Sequence, residues 1–110
     1  MPLRYGTVYI RGRDIYEAIQ KVMDIVDIGG LCYVGKYSYY SLEKPQRISE
    51  TEYRIRMLSA GGYYVEVSIK KVGKKVFMVD VYGADISLRA DQDRLGACIV
   101  RELKKKEYEE

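Results

Sequence analysis

The chain contains no histidine and no asparagine. Absence of histidine excludes Ser-His and Cys-His nucleophile pairs, histidine metal ligands and the usual general base at neutral pH. Among the remaining acids, Asp91 and Asp93 could offer oxygens to a hard cation, but two acids at this spacing are more typical of a helix start. We therefore expect a protein that is not an enzyme, with no catalytic residues, no metal site and no cofactor.

Cysteine is also scarce, because Cys32 and Cys98 are the only two in the chain. Two widely spaced cysteines are too few for a zinc ligand set. We expect a buried pair of free thiols, with a disulfide as the alternative. That alternative stays open because missing asparagine and 32% charged residues suggest a thermophile, and intracellular proteins of hyperthermophiles can carry disulfides.

Long apolar runs are missing as well. No segment approaches the roughly 20 residues that span a bilayer, and the N-terminus lacks the features of a signal peptide. With 110 residues, 47% of them hydrophobic, the chain can bury the core of one domain. We expect a single domain over residues 1–110, frayed at its last residues, in a soluble cytoplasmic protein that contacts no membrane. The net charge of +3 is too small to indicate a partner by itself.

Hydrophobic periodicity predicts the order of elements. Residues 5–11 alternate as a strand, with Val8 and Ile10 on the inner side and Tyr5, Thr7, Tyr9 and Arg11 on the other. A helix follows, with Asp14 as its N-cap and Gly29-Gly30 at its end. Four strands are predicted at about 31–42, 51–59, 63–71 and 75–82, separated by turns at Lys44-Pro45, 60–62 and 72–73. Alternation assigns Ile55, Val67 and Val79 of these strands to the core. From residue 85 the pattern becomes helical again, with Asp91 as the expected N-cap.

This order predicts an α+β two-layer sandwich, β-α-β-β-β-β-α, in which two helices cover one face of an antiparallel sheet. TATA-binding-protein-like and helix-grip folds have the same order. The likeness is one of topology alone, since no sequence motif of either family is present, and it says little about function.

The twelve tyrosines raise the question of what the uncovered sheet face does. In LCYVGKYSYY, Cys32 and Val34 suit the core, so Tyr33, Tyr37 and Tyr39 are expected to point away from the helices. Alternation in the other strands places further residues on the same face: Tyr9, Arg11, Arg54, Arg56, Tyr64, Lys70 and Tyr82. Such a face offers rings for stacking on bases and cations for phosphates. The hairpin KKVGKK adds four lysines at one tip, where they could grip a phosphate backbone.

Other interpretations of these residues stay open. Tyrosines can simply stabilise a sheet through cross-strand pairs, and an aromatic face can form a symmetric dimer. Hairpin lysines can guard a sheet edge against pairing. Our leading hypothesis is a homo-oligomeric module that binds nucleic acid. Its alternatives are an assembly protein that pairs through the tyrosine face and a carrier of a small apolar ligand. The expected binding residues are Tyr33, Tyr37, Tyr39, Arg54, Arg56, Lys70, Lys71, Lys74 and Lys75.

Overall fold

The computed structural model describes residues 2–37 and 40–108. The elements are β1 (Leu3–Arg11), α1 (Ile15–Val26), a single 3-10 turn (Val34–Lys36), β2 (Tyr40–Leu42), β3 (Gln46–Ser49), β4 (Glu52–Ser59), β5 (Tyr64–Gly73), β6 (Val76–Gly83) and α2 (Ala90–Lys104). All strand pairs are antiparallel, in the order β1-β6-β5-β4-β2, with β3 also paired to β4. The predicted α+β class, with two helices and an antiparallel sheet, is confirmed.

Both helices pack on one face of this sheet. Inward residues of the long strands, such as Val8, Ile55 and Val67, are fully buried with Val22 of α1 and Leu95 of α2. The start of α1 agrees with its predicted cap, because the Asp14 carboxylate accepts a hydrogen bond from the Glu17 amide. Within the described residues, no helix is long and apolar enough to cross a membrane. The opposite face of the sheet, which we call the open face, is covered by neither of the two helices in the described residues.

The first strand departs from simple alternation. A bulge between Arg4 and Gly6 shifts its register against β6, so Tyr5 packs against the core. Its ring fills the space left by two glycines, because a Cβ at Gly96 would lie 2.5 Å from it and a Cβ at Gly83 would lie 2.6 Å from it. The expectation that Tyr5 shares a side with the outward residues of β1 is therefore wrong.

Residues 31–42 do not form the predicted continuous strand. Turns and the 3-10 segment occupy 31–37, and β2 covers only Tyr40–Leu42. A second short strand, β3, was not predicted. Alternation over 31–42 is broken because Gly35 lies against the Tyr33 ring, where a Cβ would come within 2.5 Å, and because Cys32 is tied to α2.

That tie is a disulfide between Cys32 and Cys98, which corrects the expected pair of free thiols. Both cysteines are buried, and the bond joins the loop after α1 to the middle of α2.

The start of α2 also differs from the prediction. Asp91 lies in its first turn, Arg89 holds the N-cap position, and no side chain of the described residues caps the helix.

Candidate functional site

The lysine-rich hairpin between β5 and β6 lies beside the connection from β1 to α1. Because β1 runs antiparallel to β6, its last residue, Arg11, is paired with Val76 at the first residue of β6. The next amide, of Gly12, donates to the Lys75 carbonyl oxygen at 3.1 Å. Sheet register thus brings two basic segments together, 11–13 and 74–75.

A cavity of about 370 Å³ opens between these segments, and we call it the basic cleft. Four of its lining residues are cationic: Arg11, Arg13, Lys74 and Lys75. One lining residue is acidic, Glu17, and its carboxylate already pairs with Arg13 at 2.5 Å. The hydrogen bond from Arg13 is the main reason that the pKa of Glu17 is lowered. The cleft therefore has an excess of positive charge.

The arginine and lysine side chains of the basic cleft differ in how they are held in place. The Arg11 guanidinium lies 4.7 Å from the centre of the Tyr108 ring, and Tyr108 is held in turn by its amide, which donates to the Tyr9 carbonyl oxygen at 2.6 Å. Lys74 and Lys75 are exposed and form no ion pair with other residues of the described ranges. Arginine at the cleft is thus fixed in place, while the two lysine ammoniums stay available to a bound anion.

The other two lysines of KKVGKK do not line the cleft. Lys70 is exposed on the open face, where it is paired with Glu52 of β4 and Met78 of β6. Lys71 is also exposed, and its amide donates to the Thr51 carbonyl oxygen at 2.8 Å. Because successive strand residues point to opposite faces, the four lysines cannot act as one cluster.

Both predicted arginines lie on the open face, but each has a carboxylate neighbour. Arg54 Nε lies 3.7 Å from Glu52, and Arg56 Nε lies 3.3 Å from Glu66. The Arg56 guanidinium also lies 5.1 Å from the centre of the Tyr64 ring. At this part of the open face, charge is therefore balanced within the sheet.

The predicted tyrosine platform is not present as expected. Tyr33 and Tyr37 are half-buried and pack against the core. Tyr37 lines a groove with residues of α2, Arg94 and Arg101 among them, so it belongs to the helix layer. Tyr39 lies outside the described residues. The assignment of these tyrosines to the open face depended on strand alternation over 31–42. Residues 31–37 form turns and a 3-10 segment instead, and side chains in turns do not alternate between two faces.

Three other tyrosines that alternation assigns to the open face do lie there, namely Tyr9, Tyr64 and Tyr82. Tyr9 is 44% exposed and lies two residues before Arg11, close to the basic cleft. Arg4 donates to the Tyr82 hydroxyl at 2.9 Å, and this hydrogen bond is the main reason that the pKa of Arg4 is raised. Only Tyr9 among these rings is both exposed and adjacent to the cleft.

Sequence reasoning missed Arg13 and Tyr108 as members of the site and assigned Arg11 to the open face alone. The signal that could have found the site is the position of RGR at 11–13, directly after the first strand. In this sheet the first strand lies beside the last strand, so its end comes next to the β5–β6 hairpin. Nothing in the sequence pattern indicates that Tyr108 returns to β1. No family model matches the chain, and no curated protein matches it.

Proposed function

We propose that this chain is a non-enzymatic module that binds the phosphate backbone of nucleic acid through the basic cleft. The observation that carries the proposal is the convergence of Arg11, Arg13, Lys74 and Lys75 around one cavity. Both arginines are held by local contacts, with Glu17 and with the Tyr108 ring. Each can still present N–H donors to a phosphate, since a guanidinium has five.

Backbone contact fits this site better than base recognition. The β5–β6 hairpin projects two exposed ammoniums, which act as compact point charges suited to phosphate oxygens. Tyr33 and Tyr37 lie in the helix layer, so a row of stacking rings does not support the proposal. Tyr9 can add one ring beside the cleft. We therefore expect weak dependence on base sequence and strong dependence on salt.

Fluorescence anisotropy on labelled oligonucleotides tests this proposal. Four neutralised phosphates predict a slope of about −3.6 for log affinity against log salt on duplex DNA, or roughly a 100-fold loss between about 50 and 200 mM salt. A single-stranded oligonucleotide of the same sequence should give a shallower slope, about −0.7 per phosphate. Salt-independent binding, or no binding to either at low salt, would contradict the proposal.

A second candidate is assembly into a homo-oligomer through the open face. It is favoured because neither α1 nor α2 covers this face in the part of the chain that the structure describes, and because arginines contact tyrosine rings there, Arg4 with Tyr82 and Arg56 with Tyr64. This candidate predicts twice the monomer mass in light scattering. Tyr82→Ala should then yield the monomer, whereas the control Tyr16→Ala, on the exposed side of α1, should not. A wild-type monomer at all concentrations would eliminate this candidate.

A further inference from the structure

A second groove rich in cations lies in the helix layer, between α2 and the 3-10 turn of the loop that follows α1. It has a volume of about 450 Å³, a size typical of small-molecule sites. Its described lining residues are Lys36, Tyr37, Arg94, Ala97 and Arg101. Three of these residues are cationic and none is acidic. We call this cavity the α2 groove.

The helix side of the α2 groove is set by the spacing of three exposed residues. Arg94 and Arg101 are seven positions apart, which is about two turns of helix and a rise of about 10 Å. Ala97 lies between them on the same side of α2, and all three residues are exposed. Because the alanine side chain ends at its Cβ, the two long arginine side chains border an open space.

The other side of the α2 groove belongs to the loop after α1, which is held in place. The disulfide of Cys32 with Cys98 ties this loop to the middle of α2. Tyr37 is half-buried against the core, and its amide donates to the Val34 carbonyl oxygen at 3.1 Å. Lys36, the preceding residue, is exposed and forms no ion pair with the described residues. A fixed turn therefore presents a free ammonium to the groove, which limits the entropy lost on binding.

Each arginine of the α2 groove has a carboxylate neighbour and still keeps donors for a ligand. The Arg94 side chain is 71% exposed and contacts Asp91 through one terminal nitrogen. The Arg101 side chain is 64% exposed, and its Nε lies 3.9 Å from Glu102. That carboxylate is held more closely by Lys105, at 2.9 Å. Since a guanidinium has five N–H donors, both arginines can contact an anion, and positive charge exceeds negative charge around the groove.

The size and charge of the α2 groove favour a phosphate monoester as its ligand. A monoester carries nearly two negative charges at neutral pH and has three terminal oxygens, which are strong acceptors. Guanidinium groups match phosphate oxygens with paired hydrogen bonds, and an ammonium adds a compact charge. The backbone phosphates of nucleic acid carry one charge each, so they match three cations less well.

We propose that the α2 groove binds a small phosphate monoester, whose phosphate group is held by the two arginines and Lys36. The apolar body of the ligand lies on Ala97 and against Tyr37. The α2 groove shares no described lining residue with the basic cleft. This site is therefore separate from the basic cleft and does not depend on nucleic-acid binding.

Phenyl phosphate and methyl phenyl phosphate test the proposal, because they share a ring but differ in charge. At about pH 7.5, above the second pKa of a monoester near 6, the first carries two negative charges and the second carries one. Phenyl phosphate should produce saturable ¹H–¹⁵N shifts at the amides of Lys36, Tyr37 and Ala97, with a dissociation constant on the order of 1 mM. Methyl phenyl phosphate should bind there at least about threefold more weakly.

Ala97→Leu should fill the α2 groove without changing any charge, and it should weaken phenyl phosphate binding at least about tenfold. Ala90→Leu is the matched control. It adds the same atoms to α2 at an exposed position that does not line the groove, and it should leave binding unchanged. Both positions are exposed, so both variants should keep the wild-type fold in their ¹H–¹⁵N spectra.

Arg94→Gln combined with Arg101→Gln should also weaken phenyl phosphate binding at least about tenfold. Lys104→Gln combined with Lys106→Gln removes the same charge from exposed positions outside the groove, and it should change the affinity by less than about twofold. The proposal is overturned if phenyl phosphate gives no saturable shift at the groove amides or if methyl phenyl phosphate binds as tightly. Wild-type affinity in Ala97→Leu, or equal losses in the two double variants, would also overturn it.

Discussion

Reduction of the Cys32–Cys98 disulfide should lower the free energy of unfolding by about 2–4 kcal/mol. The bond joins residues separated by 66 positions, and closing a loop of this length removes much of the conformational freedom of the unfolded chain. It also joins the loop of 31–37, which has little regular structure, to a buried face of α2. Urea unfolding measured with and without reductant should show a midpoint lowered by about 2 M.

Reductant applied to a Cys32→Ala, Cys98→Ala variant provides the control for that comparison. This variant has no disulfide, so reductant should not move its midpoint, and any shift there would measure an effect of the reagent alone. Reduction of the wild type breaks the bond without removing any heavy atom, whereas the double variant also leaves small cavities. An unchanged wild-type midpoint after complete reduction would show that the disulfide contributes nothing to stability.

Replacing both Lys74 and Lys75 with glutamine should weaken binding to duplex DNA by about 10- to 100-fold and reduce the salt slope by about 1.8. Each lysine neutralises one phosphate in the proposed complex. Both side chains are exposed, so the change removes charge without disturbing the core. Anisotropy titrations at two salt concentrations, on one duplex, measure the affinity and the slope together.

Lys44→Gln with Arg47→Gln is the matched control, because it removes the same charge from exposed positions at the other side of the sheet. If the cleft is the binding site, this control should retain nearly the wild-type affinity and slope. Equal losses in the two double variants would mean that binding responds to net charge alone. That outcome would contradict a localised site even if nucleic acid is bound.

The sequence predicted the parts of the fold that depend on regular periodicity. Ile55, Val67 and Val79 were assigned to the core by alternation and are fully buried, and the Asp14 cap was read from its position before an apolar helix stripe. These features are local, since each depends on residues that are near one another in sequence. The hairpin lysines at 74 and 75 were also recognised, because their turn was evident.

The sequence-based predictions were wrong where contacts between residues distant in the sequence override the local hydrophobic pattern. Tyr33 and Tyr37 fit strand alternation, yet the disulfide of Cys32 with α2 and the turn at Gly35 place both rings in the helix layer. Tyr5 was misassigned because a bulge is not visible as a change of period. The basic cleft joins residues 11–13 with 74–75, and only the pairing of β1 with β6 brings them together.

Chemical-shift mapping of the ¹⁵N-labelled protein with a short DNA duplex is the most direct test of the proposed site. The account predicts the largest shifts at the backbone amides of Gly12, Arg13, Lys74 and Lys75, decreasing along β1 and β6 away from the cleft. Shifts centred on Arg54, Arg56 and the neighbouring open face, with the β5–β6 hairpin unaffected, would contradict it.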